Sequence, residues 1–99
     1  MDFPNKESIE REVKQVIADC LGVETSTVNS RDSFGSLGIE SLTFTGMELL
    51  LQDKYDFGDD DVKVLYSQAV HANQDVFDYL TVEKLIDYIN SKNERESLA

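Results

Sequence analysis

Residues 33–42 read SFGSLGIESL, and this stretch decides how the rest of the chain is interpreted. It places Ser41 behind a glycine-containing loop and directly before an apolar helical pattern. The start of a helix has free backbone N–H groups and the positive end of the helix dipole, and both favour a phosphate. Ser41 is therefore a candidate for carrying a covalently attached phosphate ester. From periodicity alone, however, an N-cap is the more frequent role of a serine in this position.

The segments on either side of this stretch have helical periodicity. Residues 8–21 place apolar side chains on one face, which predicts a first helix with Ser8 as N-cap and Gly22 as its C-terminal stop. The long polar connection over 23–40 contains spaced apolar residues, so we expect a loop pinned onto a bundle. Residues 41–56 form the predicted second helix. Its predicted apolar stripe consists of Leu42, Phe44, Met47, Leu49, Leu50 and Leu51.

The second half of the chain continues the helical pattern. A helix is expected after Gly58 and the three aspartates that follow it, with a break at 72–75 and one short turn over 76–80. The last predicted helix covers 81–91, is capped by Thr81 and is followed by a fraying polar tail. The predicted fold is all-α: a four-helix bundle with a long loop between helices 1 and 2 and an extra helical segment between helices 2 and 4. We expect one domain over 1–99, with an ordered core over about 7–92.

The charge of the chain limits its partners. The 99 residues include 20 acidic and 9 basic side chains, which gives a net charge of −11. Nucleic acid is a poor partner for such a chain, because its binding relies on Lys and Arg. Insertion into a membrane is not expected, because the longest apolar run is short. Protein surfaces rich in basic residues are the expected partners.

Few side chains in the sequence suggest catalysis or metal binding. Cys20 and His71 are the only cysteine and histidine. We expect Cys20 to fill core space and His71 to lie on the surface. The acidic run of Asp56 and residues 59–61 lacks the alternation of a calcium loop, so a solvated helix start is expected there. A single cysteine and the absence of a secretion signal predict a cytoplasmic protein.

The segment Gly38-Ile39-Glu40-Ser41-Leu42 resembles the Gly-x-Asp-Ser-Leu signature of acyl carrier proteins. The resemblance extends beyond the signature. Residues 9–23 resemble the first helix of the family, residues 33–38 its loop and residues 81–90 its last helix, so that the likeness covers about 8–56 and 75–92. In that family the serine carries 4′-phosphopantetheine through a phosphodiester.

The resemblance implies a carrier and not an enzyme. A phosphopantetheinyl transferase would load Ser41 from coenzyme A, and the arm would hold acyl groups as thioesters. The monomeric carrier would present them to acyl-transferring or condensing enzymes of fatty-acid, polyketide or related biosynthesis. The residues implied at the attachment site are Ser41, Gly38, Glu40 and Leu42. The acidic residues implied in docking basic partners are Glu48, Asp53 and Asp56.

Three departures from the family pattern point to a specialised carrier. Glu40 stands where the family nearly always has Asp, so we expect slower loading. The first half of helix 2 is poor in acid, and the segment 57–80 is longer than usual. We also expect the apolar bundle to shelter an acyl chain, since each buried methylene contributes about 0.8 kcal/mol. Gly46 would relieve crowding near the arm or its cargo.

Two other functions remain open at this point. One is a carrier of aminoacyl or aryl groups, although the signature common among peptidyl carriers is absent. The other is a helical interaction module that has lost the modification. Intact mass after incubation with coenzyme A and a transferase separates the unmodified module from both carriers. The mass of the native cargo separates the carriers from each other.

Overall fold

The computed structural model describes residues 5–98, with side chains described for 5–95. Within these residues all regular structure is helical, which confirms the all-α prediction, and a single isolated bridge pairs Ser33 with Thr81. The predicted domain limits at residues 1 and 99 lie outside the described residues. The elements are α1 (Lys6–Leu21), a 3-10 turn (Thr25–Thr27), α2 (Ser41–Tyr55), α3 (Asp59–His71), α4 (Val76–Tyr79) and α5 (Val82–Leu98).

Helix α1 begins two residues before its predicted start. The prediction that Ser8 is the N-cap is wrong: Asn5 is the N-cap, and its side chain accepts a 2.8 Å hydrogen bond from the Ser8 backbone N–H. The C-terminal stop is as predicted. Gly22 adopts a left-handed conformation with φ of 70°, which suits a residue without Cβ.

Helix α2 buries a narrower face than its sequence suggests. Its buried residues are Phe44, Met47, Leu51 and Tyr55. Leu42, Leu49 and Leu50 were predicted in the same stripe, but they are exposed. The error has a geometric cause. Apolar side chains of α2 point in all directions around the helix axis, so the sequence does not define one inward face. Packing against α1 and the loop determines which face is buried.

Helices α3 and α4 form where the sequence predicts them, with the expected break between them. The prediction of a fully solvated acidic start for α3 is wrong for Asp61, which is buried. Its carboxylate accepts hydrogen bonds from the Gly58 N–H (2.9 Å), the Tyr88 hydroxyl (2.5 Å) and the Lys92 ammonium (2.8 Å). The same Lys92 ammonium donates to the Asp56 carbonyl at 2.7 Å.

Helix α5 is longer than predicted. Thr81 is its N-cap as expected, since its Oγ1 accepts from the Lys84 N–H at 3.1 Å. The helix then continues to Leu98 and not to 91, so the predicted end is wrong. The added turns contain Lys92, which reaches Asp61 of α3, and Asn93, which is buried. These contacts explain why a polar sequence stays helical there.

The core lies between the helices and beneath the long loop. Helix α1 packs against both α2 and α5. The loop contributes Val28, Phe34 and Ile39 to the core, as expected for a pinned connection. Tyr55 of α2 donates a hydrogen bond to Glu12 of α1, which joins these two helices at the edge of the core. Among the described residues, no helix is both long enough and apolar enough to cross a bilayer.

Candidate functional site

A tight turn leads from the long loop into α2. The Gly38 N–H donates to the Gly35 carbonyl at 3.1 Å, and the Ile39 N–H donates to the Phe34 carbonyl at 2.9 Å. Gly38 has φ of 82°, in the region that L-residues with a Cβ rarely adopt. Ile39 is buried directly after the turn. The turn and this apolar anchor together fix where α2 begins.

Backbone hydrogen bonds fasten this loop to the C-terminal part of the chain. The Phe34 N–H donates to the Leu80 carbonyl at 2.8 Å, and the Gly35 N–H donates to the Phe77 carbonyl at 2.7 Å. On the other side of the bridge, the Val82 N–H donates to the Asp32 carbonyl at 3.1 Å. Helix α4 and the residue that follows it therefore position the loop before Ser41.

Ser41 is the first helical residue of α2 and is exposed. The N-cap is Glu40, so Ser41 does not have the capping role that periodicity alone favours. Its carbonyl accepts from the Thr45 hydroxyl at 3.0 Å. No hydrogen bond to a described residue engages its own hydroxyl. That hydroxyl is accessible to an external enzyme.

The backbone around Ser41 suits an anion. Glu40 makes no side-chain cap hydrogen bond, and the first turn of α2 contains no acidic residue. The first N–H groups of a helix have no acceptor within it, and they carry the positive end of the dipole. A phosphodiester on Ser41 would lie beside these groups. The residues present therefore fit a phosphate-linked prosthetic group.

The other residues predicted for the site differ in how far they are exposed, and those on the outer face of α2 are exposed. Leu42 is 83% exposed beside Ser41, and Leu49 is 61% exposed two turns further along α2. Asp53 is exposed near the end of α2, and Asp56 is its exposed C-cap with φ of 54°. The outer face of α2 thus combines apolar side chains near its start with carboxylates near its end.

Glu48 differs from these two aspartates because it is half-buried. Burial raises the pKa of its carboxyl, and the neighbouring Asp59 carboxyl raises it further through a hydrogen bond and charge repulsion. The Gln52 amide donates to Glu48 at 3.4 Å and acts in the opposite direction. Glu48 therefore faces α3 as much as solvent.

The burial of Cys20 and His71 is close to that predicted from the sequence. Cys20 lies half-buried against the core, and burial raises the pKa of its thiol, so it stays protonated at neutral pH. A Cβ built on Gly46 would lie 3.9 Å from the Cys20 sulfur, an ordinary contact. The hypothesis that Gly46 relieves crowding near a prosthetic arm stays a prediction. His71 is exposed, with Nδ1 2.8 Å from the Ser67 carbonyl.

Other potential sites lie away from Ser41. Within residues 5–98, no group of His, Cys, Asp and Glu side chains is arranged to hold a metal ion. A surface groove of about 610 Å³ runs along α3 next to Tyr79, and it continues past Val64 and Gln68 towards α5. The walls of these grooves include no residue of α2 or of the loop before it.

Sequence reasoning missed two sets of residues that make tertiary contacts, one at the loop before Ser41 and one between the end of α2, the start of α3 and α5. One is the pair of carbonyls of Phe77 and Leu80, which hold the loop. A backbone acceptor has no signature in a sequence. The other is the set of Asp61, Tyr88 and Lys92. The available signal for this set was the i, i+4 spacing of Tyr88 and Lys92, which places both side chains on one face of α5. Both contact the Asp61 carboxylate.

Comparisons with known proteins agree with this geometry. A family model described as "Phosphopantetheine attachment site" matches residues 11–65, more than half of the chain, and this range includes Ser41. An acyl carrier protein of Chlamydia felis (strain Fe/C-56) is 43% identical over 51 residues, which cover 50% of this chain and 65% of the relative. One from Chlamydia caviae is 31% identical over 86 residues, which cover 86% of this chain and 96% of the relative. No solved structure matches at comparable significance.

These matches identify the family of the chain and its prosthetic group. The family model spans the loop, α2 and the start of α3, and the second relative spans nearly the whole described chain. The chain therefore belongs to the acyl carrier protein family, whose non-catalytic members carry a covalently attached 4′-phosphopantetheine group.

Proposed function

We propose that Ser41 is the attachment point of the phosphopantetheine group and that the protein carries acyl groups on it. The observation that carries this proposal is the state of the Ser41 hydroxyl. It is exposed at the first residue of an uncapped helix, behind a turn that backbone hydrogen bonds hold in place.

Three features of the chain prepare this site. The positive φ of Gly38 turns the backbone so that α2 starts in the open. The uncapped N–H groups of the first turn stabilise the phosphodiester. Glu40 keeps a negative charge beside Ser41, where the transferase must approach, but its longer side chain places that charge differently from an aspartate.

The bound arm supplies a terminal thiol that holds the acyl group as a thioester. The chain presents this cargo to fatty-acid, polyketide or related biosynthetic enzymes. Its own residues bind and orient the arm without carrying out chemistry. Cys20 does not take part, because burial raises the pKa of its thiol, which stays protonated, and the residue lies half-buried against the core.

Partner enzymes dock on the outer face of α2. Leu42 and Leu49 supply apolar contact, while Asp53 and Asp56 attract basic side chains. Glu48 contributes less than these two aspartates, because it is half-buried against α3. Docking on this face combines burial of apolar area with charge attraction, so its affinity falls with salt less steeply than that of a purely acidic face.

Intact mass spectrometry after incubation with coenzyme A, magnesium and a broad-specificity phosphopantetheinyl transferase tests the attachment site. We expect the wild type to gain the mass of one phosphopantetheine group and Ser41→Ala to gain none. Ser36→Ala is the matched control, because Ser36 is an exposed serine in the loop that leads to α2, and it should load normally. No gain in the wild type, or a gain that survives Ser41→Ala, contradicts the proposal.

The same measurement on protein purified from its own host identifies the cargo. An acyl mass on the arm supports the function proposed here. An aminoacyl or aryl mass would assign the carrier to the other class, and an unmodified chain would indicate an interaction module.

A further inference from the structure

Four aromatic rings meet beneath the first turn of α2. They come from four different places in the chain: Phe34 of the loop, Phe44 of α2, Tyr66 of α3 and Phe77 of α4. The ring centroids of Phe44 lie 5.5 Å from Phe34, 6.0 Å from Tyr66 and 6.2 Å from Phe77. Tyr66 and Phe77 are 6.5 Å apart. These spacings are those of direct aromatic contact.

The aromatic cluster has an inner and an outer half. Phe34 and Phe44 are 0% and 2% exposed, whereas Tyr66 and Phe77 are half-buried and form the outer side. Phe44 follows Ser41 by three residues, so the cluster lies directly below the attachment turn. Because protein interiors pack as densely as organic crystals, rings in this position occupy the space that a guest would need.

The backbone of Phe77 is fixed in place. Its N–H donates to the Asp75 carboxylate at 3.1 Å, and its carbonyl accepts from Gly35 at 2.7 Å. A Cβ on Gly35 would lie 3.2 Å from the Asp78 carboxylate, which shows how closely α4 approaches the loop. The Phe77 ring can therefore leave the cluster only by rotating its side chain or by breaking these hydrogen bonds.

The outer side also carries charge. Burial raises the pKa of the Tyr66 hydroxyl, and the nearby Glu48 carboxylate raises it further. An acyl chain entering between α2 and α3 would have to pass this carboxylate. Passage next to an ionised group is unfavourable for a hydrocarbon chain, because the carboxylate would lose solvating water.

We infer that the aromatic cluster closes the interior of the bundle to an acyl chain carried on Ser41, and that Phe77 is the residue that determines this closure. The cargo stays outside the bundle, where partner enzymes reach it directly. This inference rests on the proposed attachment at Ser41, and it replaces the sequence-based expectation that the bundle shelters the chain.

The rate of thioester cleavage by hydroxylamine tests the inference. The protein is loaded with an acetyl or a decanoyl arm, and intact mass confirms the loading. In the wild type both thioesters should be cleaved at rates within about twofold, because neither chain is buried. In Phe77→Ala the decanoyl thioester should be cleaved at least about tenfold more slowly than the acetyl one, since each buried methylene shifts the equilibrium roughly fourfold.

Tyr79→Ala is the matched control for this variant. Tyr79 is an aromatic residue on the same short helix and is half-buried, but it lies in the groove next to α3, outside the cluster. Its truncation should leave both cleavage rates unchanged. Phe77→Leu removes less volume and should slow cleavage of the decanoyl thioester to a smaller extent. It tests the same inference if Phe77→Ala proves too unstable to study.

A second measurement needs no loading, so it separates failure of this inference from failure of the carrier proposal. Amide chemical shifts of the unmodified protein are recorded with and without 1-octanol. We expect no octanol-induced shifts around Phe34 and Phe44 in the wild type and clear shifts in Phe77→Ala. Decanoyl protection or octanol shifts in the wild type would overturn the inference. A chain that cannot be loaded but shows the expected octanol result contradicts only the carrier proposal.

Discussion

The starts of α2 and α3 are built in opposite ways. Helix α2 begins at Ser41 with no side-chain cap and no acid in its first turn. Helix α3 begins at Asp59 with three aspartates in its first turn, and Asp61 accepts from the Gly58 N–H, the Tyr88 hydroxyl and Lys92. Aspartates of its own first turn neutralise the N-terminus of α3, whereas the first N–H groups of α2 have no side-chain cap.

The difference shows how stability and function are divided in this small domain. A side-chain cap or an acidic residue in the first turn of a helix contributes about 1 kcal/mol. Helix α2 has neither, although Glu40 occupies its N-cap position. The open start costs some stability, which the buried network at α3 and the anchored loop offset. Four changes test this division, in order of decreasing expected effect.

Removing the central carboxylate of the closed helix start should have the largest effect. Asp61→Ala leaves the Lys92 ammonium, whose side chain is only 17% exposed, without its carboxylate partner and with only the hydrogen bond to the Asp56 carbonyl. Breaking a buried ion pair in this way costs about 3 kcal/mol. Urea unfolding followed by circular dichroism measures the loss. Asp60→Ala is the control, because Asp60 is exposed in the same turn, and its effect should stay within about 0.5 kcal/mol. Equal effects of the two changes would contradict the network.

The same carboxylate should make stability depend on pH. Burial alone would raise the pKa of Asp61, but the hydrogen bonds from Lys92, Tyr88 and Gly58 outweigh burial and lower it. The stabilisation is therefore fully present above the unfolded value of about 3.9 and is lost as pH falls through the folded-state pKa. The difference in unfolding free energy between wild type and Asp61→Asn should shrink below about pH 4. A difference that stays constant from pH 7 to pH 3 would argue against this origin.

Altering the turn before the open helix start should have a smaller effect. Gly38→Ala forces a Cβ into a backbone with φ of 82°, although nothing lies within 4 Å of that Cβ. We expect a loss of about 1–2 kcal/mol from backbone strain alone. Gly46→Ala is the matched control, because this glycine lies inside α2 with space for a methyl group, and it should gain up to about 1 kcal/mol. Thermal unfolding of both variants separates the two causes. If strain at the positive φ matters, Gly38→Ala is destabilised while Gly46→Ala is not.

Closing the open helix start should have the smallest effect on stability. In Glu40→Asp the shorter carboxylate can accept from the first-turn N–H groups, which should add up to about 1 kcal/mol. It also restores the residue typical of the family, so loading by the transferase should accelerate. Glu24→Asp is the control, because Glu24 precedes only the short 3-10 turn and likewise makes no cap hydrogen bond. A Glu40→Asp variant with unchanged stability and loading rate would show that the charge beside Ser41 can occupy either position.

The fold could be predicted from the sequence where the pattern was local. Helical periodicity located the five α-helices of the described residues, but not the 3-10 turn at Thr25–Thr27. Gly22 correctly marked the end of α1, and Thr81 the start of α5. The inward face of α2 was not predictable, because Leu42, Leu49 and Leu50 are as apolar as the residues that are buried. Which face packs depends on tertiary neighbours and not on the helix itself.

Ser41 was recognisable in the sequence as the candidate attachment residue, but the contacts that position it were not. The signature and the family resemblance indicated Ser41, and the structure places it exposed at the start of α2. The hydrogen bonds from Phe34 and Gly35 to α4 join residues distant in sequence through backbone atoms, so no side-chain pattern encodes them. The extension of α5 was missed because a contact that stabilises it joins the side chains of Lys92 and Asp61, which are 31 residues apart in the sequence.

The hydrogen bonds that anchor the loop have a consequence for synthesis of the protein. Phe34 and Gly35 bind carbonyls of Leu80 and Phe77, which are translated more than 40 residues later. A ribosome-bound chain that exposes only α1, the loop and α2 has the serine but lacks the partner that positions it. The anchored form of the loop before α2 can therefore arise only after α4 has left the ribosomal exit tunnel.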